Sequence, residues 1–169
     1  MTFKIMKKIS FVIAMTVISI LPCCAQILVQ GSLEVLKSER HLNLVCDFTN
    51  CLVDKKPVEY AMQREEDWDG GVAEITLRFG EGLSSRVHSL LVGQYPDAKY
   101  TLVYYLSEID DDQDCKGRMT LKETAMDTVV AEIAEANGSA GKFGSFFNLL
   151  GDAFENLGKK IGKLIMKNK

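Results

Sequence analysis

Proline is scarce in this sequence, with three residues among 169, and no segment is dominated by glycine or serine. Together with 47% hydrophobic and 25% charged side chains, that excludes a disordered or low-complexity chain. Imidazoles are scarcer still: His41 and His88 are the only two, too few for a histidine-built metal centre. No apolar run reaches the ~20 residues of a membrane-crossing helix; the run from Ile9 to Leu21 has 13. Gly70-Gly71 and Gly80-Glu81-Gly82 fit neither the Walker pattern nor the dinucleotide fingerprint, so a glycine-rich phosphate loop is missing. Basic excess is missing too. A net charge of −3 argues against a polyanionic partner such as nucleic acid.

The N-terminus does contain the zones of an export signal in order: Lys4, Lys7 and Lys8, the uncharged run Ile9 to Leu21, a break at Pro22, then Cys23-Cys24-Ala25-Gln26. This predicts a signal peptide over residues 1–25, cut after Ala25, and a periplasmic or extracellular protein beginning at Gln26. A lipid anchor at Cys23 or Cys24 is the alternative, although Pro22 departs from the small residues a lipobox prefers. Without the leader the net charge falls to −6, because three lysines and no acids are removed. The remainder is unevenly charged. Residues 26–140 carry eleven basic and twenty-one acidic side chains, whereas residues 141–169 carry six lysines against Asp152 and Glu155.

A mature chain of this length is one domain with a core of its own. The sequence reads as α+β, a single domain with an antiparallel or mixed sheet of four to five strands and two main helical regions packed mostly on one face. Gly31 to Leu36 is a short strand candidate. His41 to Thr49 alternates strictly, with Leu42, Leu44, Cys46 and Phe48 on one side, and predicts a central strand. Pro57 suits a first helical turn, and Val58 to Asp67 is helix-compatible until Gly70-Gly71 interrupts. From Val72 to Val92 an apolar stripe recurs at three- and four-residue steps, with Gly80 and Gly82 marking a kink or a close contact. Lys99 to Ile109 is rich in β-formers on both faces, which suits a strand near the sheet centre or under helices on at least one face. Arg118–Glu123 and Thr128–Glu135 form a hairpin, with Met119, Leu121, Val129, Ala131 and Ile133 inward. The body spans 26–140, and 141–169 is a C-terminal amphipathic helix whose stripe includes Phe143, Phe147, Leu150, Phe154, Leu157 and Ile161. Gly144, Gly151, Gly158 and Gly162 line one edge of it, where a neighbouring backbone can come close.

Chemistry-bearing clusters are few, and each has a structural explanation. Asp110, Asp112 and Asp114 alternate as in a calcium loop, but Cys115 stands where glycine is needed and Leu121 where the bidentate glutamate is needed, so a solvated turn is the better account. Glu65, Glu66, Asp67 and Asp69 surround Trp68 and offer a carboxylate pair beside an indole; a solvent-facing helix with a core-capping tryptophan explains them equally. Cys46, Cys51 and Cys115 are an odd number for an oxidising compartment. A Cys51–Cys115 bridge and three free thiols both remain open, and no nucleophile signature surrounds them. Lys159, Lys160, Lys163, Lys167 and Lys169 suit the C-terminal end of a helix dipole; contact with a membrane surface is the lesser alternative. We therefore expect no catalytic, cofactor-binding or metal residues and no cofactor.

The run Ser32-Leu33-Glu34-Val35-Leu36-Lys37 leading to Leu42 through Asn50, the Asn137-Gly138-Ser139 loop, and the ending Leu157-Gly158-Lys159-Lys160-Ile161-Gly162-Lys163-Leu164 resemble a family of small exported proteins of unknown function from Bacteroides-type bacteria. That resemblance covers nearly the whole mature chain and implies no catalytic residues. The element order is more loosely similar to envelope lipoprotein domains that bind partners. The expectation is an exported, non-enzymatic binding or structural protein of the cell envelope with an envelope protein as partner. The alternative is a small secreted hydrolase using the acidic cluster or a cysteine.

Overall fold

Alternation of buried and outward positions governs the inner strands His41–Asp47 and Tyr100–Ile109. In the computed structural model, which describes residues 28–167, β1 spans Leu28–Gly31, β2 His41–Asp47, β3 Leu52–Val53, β4 Lys56–Pro57, β5 Leu91–Gly93, β6 Tyr100–Ile109, β7 Cys115–Glu123 and β8 Thr128–Ile133. The helices are α1 (Glu59–Arg64), α2 (Trp68–Ser84) and α3 (Phe146–Lys167), with a 3₁₀ turn at Glu34–Ser38. The predicted signal peptide, its cleavage site, Cys23 and Cys24 lie outside the described residues.

The fold is α+β with one mixed sheet, in the order β1-β8-β7-β6-β2-β5. β6 lies antiparallel to β7 and parallel to β2, which is itself parallel to β5. β3 pairs with β6 beyond the end of β2 and turns back on β4. Asp54 and Lys55 make that turn with positive φ at both positions, the conformation of a tight hairpin that matches strand twist.

Leu42 and Leu44 of β2, Leu102, Tyr104 and Leu106 of β6, and Met119 and Leu121 of β7 face the helix layer and are buried. α2 and α3 cover that face, with Ile75, Phe79, Leu83, Leu150, Phe154, Leu157, Ile161 and Ile165 beneath them. The two helices run parallel: Gly71 lies against Phe147, Gly82 against the Glu155 carbonyl, and Gly158 against the Phe79 carbonyl. A Cβ at Gly82 or Gly158 would fall 2.1 and 2.2 Å from those carbonyl oxygens. Gly158 and Gly162 of the predicted glycine edge therefore do meet a neighbouring backbone, that of α2, whereas Gly151 meets the Arg78 side chain and Gly144 lies on the loop before α3. Arg78 bridges the pair by donating to Asp152 at 2.5 Å and to Glu155 at 3.3 Å.

The structure corrects several expectations. The sheet has eight strands, not four or five, because β1, β3, β4 and β5 are too short to declare a period of two. Glu34 to Ser38 is a 3₁₀ turn rather than a strand. Pro57 belongs to β4, and Gly70-Gly71 sits inside the first turn of α2, where Asp67 accepts from the Gly70 amide at 2.9 Å and caps the helix. α2 ends at Ser84, while Leu91 and Val92 enter β5. An irregularity in the β7/β8 register turns Val129 outward. α3 begins at Phe146, so Phe143 is on a loop and 92% exposed.

Candidate functional site

Among the described residues, helices cover only one face of the sheet. On the other, the outward positions of three adjacent strands come together: Asn43, Val45 and Asp47 of β2, Thr101, Val103 and Tyr105 of β6, and Arg118 and Thr120 of β7. The Asn43 amide donates to the Thr101 hydroxyl and accepts from the Tyr95 amide, which pins the β5–β6 connection to the start of β2. Further along, the Arg118 guanidinium lies 4.1 Å from the centre of the Tyr105 ring, a cation–π contact between neighbouring strands.

Two shallow grooves meet at Asp47 and Tyr105. The first, about 460 Å³, has the polar side chains of Asn50, Ser107, Lys116, Arg118 and Glu135 on its walls beside Leu106 and Ala134. The second, about 490 Å³, is lined by Val45, Phe48, Val58, Met62, Trp68 and Val103. Its floor is an aromatic cluster in which Trp68 packs edge-on against Phe48 and Phe147 and stacks near Phe146. The hydroxyl and backbone amide of Thr49, with Arg118 nearby, hold the Asp47 carboxyl below its ordinary range. Glu108, 3.0 Å from the Lys116 ammonium, raises that lysine. Both groups thus stay charged at neutral pH, which suits them to recognition by fixed charge rather than to proton transfer.

The residues singled out from sequence occupy other places. Glu65 pairs with Arg64 and Asp67 caps α2, while Glu66 and Asp69 are exposed on either side of Trp68. Neither histidine joins it: His41 packs on Tyr95 at the start of β2, and His88 follows the far end of α2. Asp110 accepts from the Asp112 and Asp114 amides, and Asp114 from the Ala140 amide, which makes the acidic stretch a turn. Among the described residues no group of three or more His, Cys, Asp or Glu is placed to hold a metal ion.

Cys46, Cys51 and Cys115 are all free thiols, so the Cys51–Cys115 bridge does not form. Cys51 precedes β3 on one side of β6 and Cys115 begins β7 on the other. Two strand spacings, about 9–10 Å, exceed the ~7 Å that a disulfide spans between Cα atoms. Burial pushes Cys46 and Cys51 up to about 12 and Cys115 up to about 11, far from the range of a reactive thiolate. In α3, Lys159 pairs with Glu155 and Lys160 donates to the Asn137 carbonyl, while Lys163 and Lys167 face solvent. Among the described residues no helix is long and apolar enough to cross a membrane.

The arrangement is that of a two-layer α+β domain with one uncovered sheet face. No family model and no curated protein matches the chain. Among solved structures it is similar to the PelC dodecamer protein of Paraburkholderia phytofirmans, at 10% identity and a TM-score of 0.43 over 78% of this chain and 92% of that one. It is also similar to a Xanthomonas campestris protein of the DUF330 family, at 10% identity and 0.39 over 76% and 86%. Overlaps of this size identify neither a family nor a function.

Proposed function

We propose that this is an exported, non-enzymatic binding or structural protein of the bacterial cell envelope, and that it engages an envelope protein on the open sheet face. One observation carries the reading: the face left bare by the helices bears Val45, Val103 and Tyr105 beside Asp47 and Arg118, where a merely solvated face would be polar throughout. An apolar centre with charged flanks is the make-up of a protein contact. The N-terminal leader pattern and the resemblance to small exported proteins support the compartment.

A photo-crosslinking residue at Val103, with a second at the exposed Leu77 on the helix layer as control, tests this in the native host. An adduct of one defined mass from position 103 and none from 77 is expected. Equal or no labelling at 103 refutes the binding face. Export is tested separately by the mass of the native chain, which should correspond to a start at Gln26 or to lipid on Cys23 or Cys24; Met1 retained in the cytosol refutes it.

A further inference from the structure

We propose that the chain docks head-to-tail on further copies of itself, the acidic end of one molecule against the basic end of the next. The topology separates charge along the strand axis. β2 and β6 run the same way, so their C-terminal ends, the β6–β7 turn and the N-termini of the parallel helices α2 and α3 all lie at one end. Exposed there are Glu59, Glu66, Asp67, Asp69, Asp111 and Asp112. The cations nearby are partly committed: Arg64 to Glu65 and the Phe146 ring, Lys116 to Glu108; Lys55, Lys56 and Lys142 do not balance the acids.

At the opposite end, where β2 starts and both helices finish, Arg40, Arg86, Lys163 and Lys167 are exposed. The acids there include Glu39, engaged by Lys99, and Asp127, engaged by Lys122, with Glu123 half-buried and Glu81 and Asp97 facing solvent, so the four exposed cations outnumber the exposed uncommitted acids by two. Helix dipoles account for the charges on α2 and α3. They do not account for Asp111 and Asp112 in a strand turn, nor for Arg40, which precedes β2 and lies outside any helix.

Each end also carries apolar surface inside its charges. Phe143, Tyr60 and Met62 are exposed at the acidic end, and Met166 is exposed in the last turn of α3 with Lys163 and Lys167 at the basic end. The ends are about 33 Å apart, the length of a 22-residue helix, against a screening length of ~8 Å in physiological salt. They therefore scarcely attract each other within a molecule and are free to act between molecules. Such a contact uses different patches on the two partners, so it does not stop at a dimer. Glu59 and Met62 border the second groove, but Val103, Tyr105 and Arg118 of the open sheet face take no part in the contact, so salt-dependent assembly and labelling at Val103 are read separately.

Sedimentation velocity on the mature chain tests it. The wild type should form species beyond the dimer, and raising salt from about 0.1 M to about 1 M, which shortens the screening length from ~10 to ~3 Å, should shift it at least tenfold toward monomer. The pair Glu66→Lys with Asp69→Lys removes the acidic excess at one end, and Lys163→Glu with Lys167→Glu removes the basic excess at the other; each should be monomeric alone, and an equimolar mixture should associate through the two intact ends. Circular dichroism establishes that both variants are folded, and the wild-type salt response needs no variant. A wild type that stays monomeric at low salt, assembly insensitive to salt, or folded variants that remain monomeric when mixed each overturn the proposal.

Discussion

Replacing Gly158 by alanine sets two effects against each other. Alanine favours the helical backbone by ~1 kcal/mol over glycine. Its Cβ, however, would lie 2.2 Å from the Phe79 carbonyl oxygen and 2.9 Å from the Leu83 amide nitrogen, well inside the 3.4 Å at which ordinary contact begins. Both obstructing atoms are backbone, so relief requires α3 to lift away from α2 and to loosen Phe79 and Leu83, which are fully buried. Overpacking of this kind costs about 1–3 kcal/mol, and with no flexible atom to yield we place it at or above the top of that range. The net loss is then about 2 kcal/mol, a fall in Tm of about 4–8 °C for a domain of this size. Gly151→Ala is the control. It makes the same propensity gain on the same helix edge but meets the Arg78 side chain at 2.8 Å, which can swing aside, so its effect should stay within about 1 kcal/mol. Urea unfolding of both variants, with unchanged m-values, reads the difference. A Gly158→Ala protein as stable as wild type would mean that the helices are not in backbone contact, and the account of the parallel helix layer would be wrong.

Other consequences are equally direct. Because Cys46, Cys51 and Cys115 titrate at about 11 to 12 when folded against 9.0 ordinarily, the unfolded chain ionises first; stability should be fully present below pH 9 and decline as pH rises toward 12, with a shallower decline in Cys46→Ala. The same thiols should react with Ellman's reagent at pH 8 only after denaturant is added. Tyr104→Phe removes a buried hydroxyl that donates to the Ala136 carbonyl at 2.7 Å and should cost about 1–2 kcal/mol in urea unfolding. Lys159 and Arg78 together hold the Glu155 carboxyl below its ordinary range; that stability is present above the unfolded carboxylate range and is lost as pH falls through the lowered value. Arg78→Met should accordingly cost about 0.5–1 kcal/mol at neutral pH and less in acid.

What could be read from sequence followed from the length over which a period repeats. Seven residues of β2 and ten of β6 show their alternation plainly, and α3 shows its stripe over six turns. Leu91 and Val92 deceived because a residue three steps beyond a helical stripe continues it on paper, while in space Val87 and Leu90 are buried on the turn that follows α2. Gly70-Gly71 looked like a stop because glycine is a poor helix former, yet Asp67 satisfies the amide of Gly70 and Gly71 must be small to admit the Phe147 ring. The C-terminal glycines were legible for the same physical reason in reverse: an interior glycine is costly enough that only close packing explains a row of them. The open face was hidden because Asp47, Tyr105 and Arg118 come from three strands far apart in the chain. One trace of it was available, since Val45, Val103 and Tyr105 occupy outward positions that a solvated face would fill with polar residues. Apolar residues on both faces of β6 suit a strand near the sheet centre with helices on at least one face, and β6 does lie between β7 and β2 with helices on one face; the outward Val103 and Tyr105 are the residues on which the proposed contact rests.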